Sequence, residues 1–200
     1  MKIFSPGPVN SEELININFH HRSDKFKSLY QEKCNVIQKY LNTKYKTLLV
    51  QGSGTSGIEA AINGLVRPGF VVLVLNNGTF SNRIVEILKN FDVYVATTET
   101  VESAKSILES THIDIFISVL FETSISKLNN IYDLVTYCNN KNILSIVDMV
   151  SALGYYEIPT SSIICSSTSK ILRGLPSLGL LLIDDKILNL IQDNGFYLNL

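Results

Sequence analysis

Short runs of branched and aromatic apolar residues recur along this chain, and the segments between most of them are long enough for helices. From Ser23 to Asn42, Phe26, Leu29, Tyr30, Ile37, Tyr40 and Leu41 return at helical spacing with lysines and polar residues between them, which predicts one long amphipathic helix. Seven strands are predicted after it: Thr47–Gln51, Val71–Leu75, Val93–Thr97, Ile113–Leu120, Ile143–Val147, Ile163–Cys165 and Leu180–Ile183. Runs such as VVLVL and IDIFISVL are apolar on both faces, as expected when helices cover both sides of a parallel sheet. The expected fold is therefore a three-layer α/β/α architecture with a mostly parallel sheet. Ligands of such sheets sit at the carboxyl ends of the strands, so the loops that follow strands should hold the chemistry.

Composition narrows the partners. The 200 residues are 46% apolar and 18% charged, which suits a soluble globular chain with one substantial core. Seventeen Lys and Arg nearly cancel eighteen Asp and Glu without a basic run, so neither nucleic acid nor an anionic membrane is announced, and small molecules are the expected partners. Cys34, Cys138 and Cys165 are far apart and form no CxxC, which suggests neither a disulfide framework nor a zinc site and fits a cytoplasmic setting. No apolar stretch approaches the roughly 20 residues needed to span a bilayer. His112, near a strand start, reads as a surface or satisfied histidine.

Three places carry candidate chemistry, and each follows a predicted strand. Gln51-Gly52-Ser53-Gly54-Thr55-Ser56-Gly57 opens the helical segment Ile58–Val66, where backbone N–H groups at a helix start can hold a phosphate. It is not a Walker A loop, because no Lys-Ser/Thr pair follows the glycines, and it lacks GxGxxG spacing. Asp148 ends the run Asn142–Val147, where a carboxylate would face the ligand crevice; its alternative role is a cap or turn. Lys170 ends Ile163–Ser169, and its amine is the side chain that can bond reversibly to an aldehyde. A phosphate loop, an acid and an amine in this order suit one cofactor, pyridoxal 5'-phosphate (PLP), in which an Asp keeps the pyridine nitrogen protonated.

Taken together, PGPVN at 6–10, HR at 21–22, GSGTSGIEAA at 52–61, NNGTFSNR at 76–83, ET at 122–123, VDMVSALG at 147–154 and STSK at 167–170 resemble the class V aminotransferases. The stretch from Lys170 to Gly179 narrows the resemblance to the 2-aminoethylphosphonate–pyruvate type. The alanine–glyoxylate and serine–pyruvate types share much of the pattern but usually show histidine where Thr55 stands. The resemblance implies that Ser53, Gly54 and Thr55 bind the cofactor phosphate and that Phe80 stacks on one face of its ring. It implies that Val150 packs on the other face, reached from Asp148 by two residues of continuing strand. Thr123 would reach the phenolic oxygen, Ser169 would stand near the phosphate, and Lys170 and Asp148 would be catalytic. His21 and Arg22 read as structural.

The implied reaction moves an amino group from 2-aminoethylphosphonate to pyruvate in a homodimeric enzyme. The alternatives are the alanine–glyoxylate or serine–pyruvate reaction, or a non-catalytic fragment of the fold. A desulfurase would need a nucleophilic cysteine, and Cys165 lies inside a predicted strand. The sequence departs from the family at Ser124-Ile125-Ser126, where hydroxyl residues and a glycine are usual, and at Pro176-Ser177, where Pro-Gly is usual. The expected organisation is an N-terminal arm (1–22), a PLP-binding large domain (23–185), and a stretch (186–200) that starts a helix leading towards a C-terminal domain absent from these residues.

Overall fold

The computed structural model describes residues 20–192 together with Leu198 and Leu200, so PGPVN at 6–10 lies outside the described residues. Helix α1 (Asp24–Tyr40) is capped by the Ser23 hydroxyl, which accepts the Phe26 N–H. Strand β1 (Lys46–Gln51) leads into α2 (Gly54–Leu65), β2 (Val71–Leu75) into α3 (Thr79–Leu88), and β3 (Tyr94–Thr98) into α4 (Val101–Ser110). Strand β4 (Ile115–Val119) is followed by a small hairpin, β5 (Phe121–Glu122) and β6 (Lys127–Leu128), and then by α5 (Tyr132–Asn140). Strands β7 (Leu144–Asp148), β8 (Ile163–Ser167) and β9 (Leu178–Ile183) complete the core.

Seven strands form one sheet in the order β1-β9-β8-β7-β4-β2-β3. The pairs β8–β7, β7–β4, β4–β2 and β2–β3 are parallel, while β9 runs antiparallel to both of its neighbours. Two reversals restore the direction, so β1 points the same way as β7 and β8, and their carboxyl ends share one edge of the sheet.

The apolar runs are explained by burial on both faces. In β4, Ile115, Ile117 and Val119 pack into one core with α2 and α3, whereas Phe116 packs into the other with α4 and α5. Strand β2 divides the same way, with Val72 and Val74 on the α2 side and Leu73 and Leu75 opposite. Ile37 of α1 and Leu41, which caps its end, join the α4–α5 layer, which gives three layers. Tyr30, also on α1, works through its hydroxyl: it donates to the Leu49 carbonyl at 3.0 Å and accepts the Leu49 N–H at 2.8 Å, on the sheet's terminal strand.

One expectation is corrected here. Residues Asp185–Leu190 form a 3₁₀ helix rather than the start of an α-helix. The chain must turn back over α2, where the Gln192 N–H meets the Gly64 carbonyl at 3.0 Å, and the tighter i+3 turns, such as Ile187 N–H to Asp184 carbonyl at 3.1 Å, accomplish this. The hairpin at 121–128 is an element that sequence periodicity did not predict, because two residues per strand carry no period. Of the departures from the family pattern, Ser126 adopts φ 52 and ψ 37, the left-handed conformation that a glycine takes at no cost, whereas Ser177 is not among the positive-φ residues. His112 is exposed, with Nε2 3.1 Å from Asp114.

Gly179 of β9 lets α2 approach the sheet. A Cβ there would lie 2.7 Å from the Ser53 carbonyl oxygen and 3.2 Å from the Gly57 nitrogen, both backbone atoms. Gly179→Ala is expected to cost about 1–3 kcal/mol, seen as a lower denaturant midpoint with an unchanged slope. A midpoint equal to wild type would show that α2 can shift without cost.

Candidate active site

The shared edge of β1, β7 and β8 carries a cavity of about 180 Å³. It is lined by Ser53, Gly54, Thr55, Phe80, Arg83, Asp148, Val150, Ser167, Ser169 and Lys170, among others. Of the residues singled out in the sequence, Thr123 does not line it: this residue begins a 3₁₀ turn (Thr123–Ile125) in the hairpin. His21 and Arg22 lie in the turn before α1 and do not line it either.

The α2 wall is a helix start. The Ser53 hydroxyl accepts the Thr55 N–H at 3.2 Å, and the Ser53 N–H donates to the Ser56 hydroxyl at 3.1 Å. No acidic residue stands in the first turn, so the partial positive charge there is not neutralised from within the helix. Arg83 Nη1 donates to Thr55 Oγ1 at 3.1 Å and adds a full charge beside it. The same guanidinium lies 5.3 Å from the centre of the Phe80 ring, so α3 contributes a flat aromatic wall and a cation together.

Val150 reaches the cavity for a different reason from the expected one. The strand stops at Asp148, and the chain turns there as the Asp148 carboxylate accepts the Val150 N–H at 2.7 Å. The turn swings Val150 over α2, where its Cγ2 would be 2.4 Å from any Cβ added at Gly54. Asp148 thus occupies the turn role and the crevice position at once. On the remaining side, the Ser167 and Ser169 hydroxyls are 2.9 Å apart, immediately before Lys170.

Electrostatics set the site apart. Asp148 is only 5% exposed, and burial pushes its carboxyl up to about 6; Glu122 adds to the rise, while the Val150 N–H, Arg83 and Lys170 oppose it. Burial lowers the Lys170 amine below the usual lysine range, against the pull of Asp148. The Cys165 thiol is fully buried and pushed far up by that burial, which disfavours the nucleophilic thiolate. Among the described residues no group of three or more His, Cys, Asp or Glu could hold a metal, and no helix is long and apolar enough to cross a membrane. A larger hollow of about 490 Å³, lined by Arg67, His112, Asp114 and Lys141 among others, holds none of the candidate residues.

Sequence reasoning missed Arg83 and Glu122. Both lie in blocks that resemble the family, but neither stands out by type. The available signal for Glu122 was its place just after the apolar run 113–120, much as Asp148 ends its own run.

A profile of the family described as aminotransferase class V matches residues 10–195. The chain belongs to this family. Two 2-aminoethylphosphonate–pyruvate transaminases of Bacillus cereus, one of them from strain G9842, are 29% and 32% identical to it over 196 residues. Each alignment covers 88% of this chain and 57% or 54% of the relative, so the chain spans about half the length of the curated relatives it matches. A solved aspartate aminotransferase of subgroup IV from Thermus thermophilus superposes with a TM-score of 0.82 at 25% identity, covering 92% of this chain and 56% of that one. Alanine–glyoxylate aminotransferase from Nostoc sp. has the same fold, with a TM-score of 0.79 at 24% identity over 96% of this chain and 53% of its own.

The cofactor of the family is PLP, and the residues present fit it. Asp148 is a buried carboxylate suited to a protonated ring nitrogen, Lys170 is an amine of lowered basicity, and α2 offers a helix start to a phosphate. Burial of this acid works against folding of the cofactor-free chain once the carboxyl must ionise. Its value of about 6 lies above the ordinary 3.8, so folding retains a proton that the unfolded chain releases. That stability is fully present below about 3.8 and lost as the pH rises through about 6. Asp148→Asn, which keeps the acceptor for Val150, is expected to stabilise the cofactor-free chain by about 3 kcal/mol above this window and by nothing below it. Equal gains at both pH extremes in denaturant titrations would contradict the raised value.

Proposed function

We propose that this chain is the cofactor-binding part of a transaminase that moves the amino group of 2-aminoethylphosphonate to pyruvate, giving phosphonoacetaldehyde and alanine. The carrying observation is the convergence of Asp148, Lys170 and the first turn of α2 on one cavity. When bound, PLP supplies an aldehyde and a ring that withdraws electrons from the amine-bearing carbon. Ser53, Gly54 and Thr55 would hold its phosphate at the helix start, with Ser169 beside them. Asp148 would keep the proton on the ring nitrogen, exchanging its own costly isolation for a charged partner. Phe80 and Val150 would fix the ring plane from opposite sides.

Lys170 Nζ would hold the cofactor at its aldehyde carbon and, when free, would take up and return the proton that moves from the amine-bearing carbon. Its lowered basicity leaves more of the neutral amine available for this work. The phosphonate substrate rests on the Bacillus cereus relatives and on Thr55, which stands where the alanine–glyoxylate type usually has histidine. A homodimer is the proposed assembly.

Mixing the chain with PLP is expected to produce visible absorption, and borohydride should then fix the cofactor to the peptide containing Lys170, detected by mass. Lys170→Ala should abolish both. Adding 2-aminoethylphosphonate should bleach the band, and pyruvate should restore it. A chain that binds PLP but ignores this amine would refute the phosphonate reading, while one with no band at all would refute the cofactor reading.

A further inference from the structure

Helix α3 carries Phe80 and Arg83 into the cavity, yet it has no cap of its own: its N-cap is Gly78, which has no side chain to offer. The first N–H groups of α3 are satisfied instead from the hairpin after β4. The Thr79 N–H donates to the Ser124 hydroxyl at 2.9 Å, the Phe80 N–H to Glu122 Oε1 at 3.4 Å, and the Ser81 N–H to Glu122 Oε2 at 2.9 Å. The Ser124 hydroxyl donates in turn to Glu122 Oε1 at 2.5 Å, and the Ser124 N–H reaches the same oxygen at 3.3 Å.

The fit between the hairpin and the helix start leaves little freedom. Glu122 is fully buried, and a Cβ at Gly78 would lie 2.4 Å from its Cγ, so the missing side chain is the space the carboxylate occupies. An unpaired carboxylate in that place would be costly, but every donor around it is an N–H or O–H aimed at its oxygens. Burial alone would raise its pKa; the hydrogen bonds from Ser124, Ser81 and Phe80 outweigh this and hold it below the usual range, so it stays charged.

We propose that Glu122 is a positioning residue that caps α3 from the neighbouring hairpin and thereby sets Phe80 and Arg83 against the cofactor ring. The proposal rests on the reading that this cavity holds PLP. It also assigns the two helix starts of the site different tasks. The start of α3 is closed by a carboxylate of the chain itself, which leaves that of α2, beside Arg83 and Thr55, as the one open to the cofactor's anion.

Glu122→Gln tests this, since the amide must turn an NH₂ towards N–H donors and can no longer accept from all of them. In the chain loaded with PLP, cofactor affinity is expected to fall roughly tenfold, and the circular dichroism of the bound cofactor should weaken as it does in Phe80→Ala. The double variant should lose no more than the worse single one. Amide exchange at Phe80 and Ser81 should quicken, while that at Leu88 stays unchanged, with or without cofactor. If Glu122→Gln fails to fold, Ser124→Ala carries the test, with the same signature at smaller size. Wild-type affinity and dichroism in both variants, or losses that add in full to those of Phe80→Ala, would overturn the positioning role. A wild-type chain without PLP affinity would overturn the cofactor reading and this role together, whereas faster exchange would still report the cap.

Discussion

The site depends on where β9 lies in the sheet. Because β9 runs antiparallel between β1 and β8, the glycine-rich turn after β1 emerges on the same edge as Asp148 and Lys170. A parallel β9 in that position would demand a crossover connection from β8, and the ten residues from Thr168 to Ser177 are too few for one with a helix. Antiparallel pairing is what a short return permits, and the return itself carries Lys170. The amine is therefore placed by the same connection that orients β1. Gly179 completes the arrangement by letting the start of α2 rest directly on β9.

On this frame the charges oppose one another in an ordered way. Asp148 is held in a place that disfavours its charge, Lys170 in one that disfavours its own, and Arg83 bridges the two helices at the rim. Glu122 is the exception, a buried carboxylate whose surroundings favour ionisation. The contrast between the two acids follows from donor count. Asp148 accepts the N–H of Val150, whereas Glu122 is met by three backbone N–H groups and a hydroxyl. One is disfavoured as a charge where it stands, and the other has donors gathered around it.

Much of this was legible in the sequence where a pattern repeats. Runs apolar on both faces marked the covered sheet, and the strand ends before Ser53, Asp148 and Lys170 located the cavity, because in such folds chemistry follows strand ends. What escaped has physical reasons. The hairpin at 121–128 is too short to show a period, and Val150 arrives by a turn that the Asp148 side chain itself makes. The segment after Ile183 has helical apolar spacing, yet tightens to 3₁₀ geometry as the chain returns over α2. Glu122 and Arg83 act through contacts between segments about forty and thirty residues apart, respectively, which no local spacing announces.

Tyr30 reads in the sequence as one more apolar position of α1, but its hydroxyl takes both backbone groups of Leu49. Leu49 lies in β1, the outermost strand, and those two groups face away from β9. An exposed strand edge is a template on which another chain can add a strand, the first step of sheet-driven aggregation. By occupying the middle of that edge with a side chain, the protein denies it to a stranger's backbone. The ring thus closes part of that edge from within the chain, on the same strand that leads into the Ser53 turn.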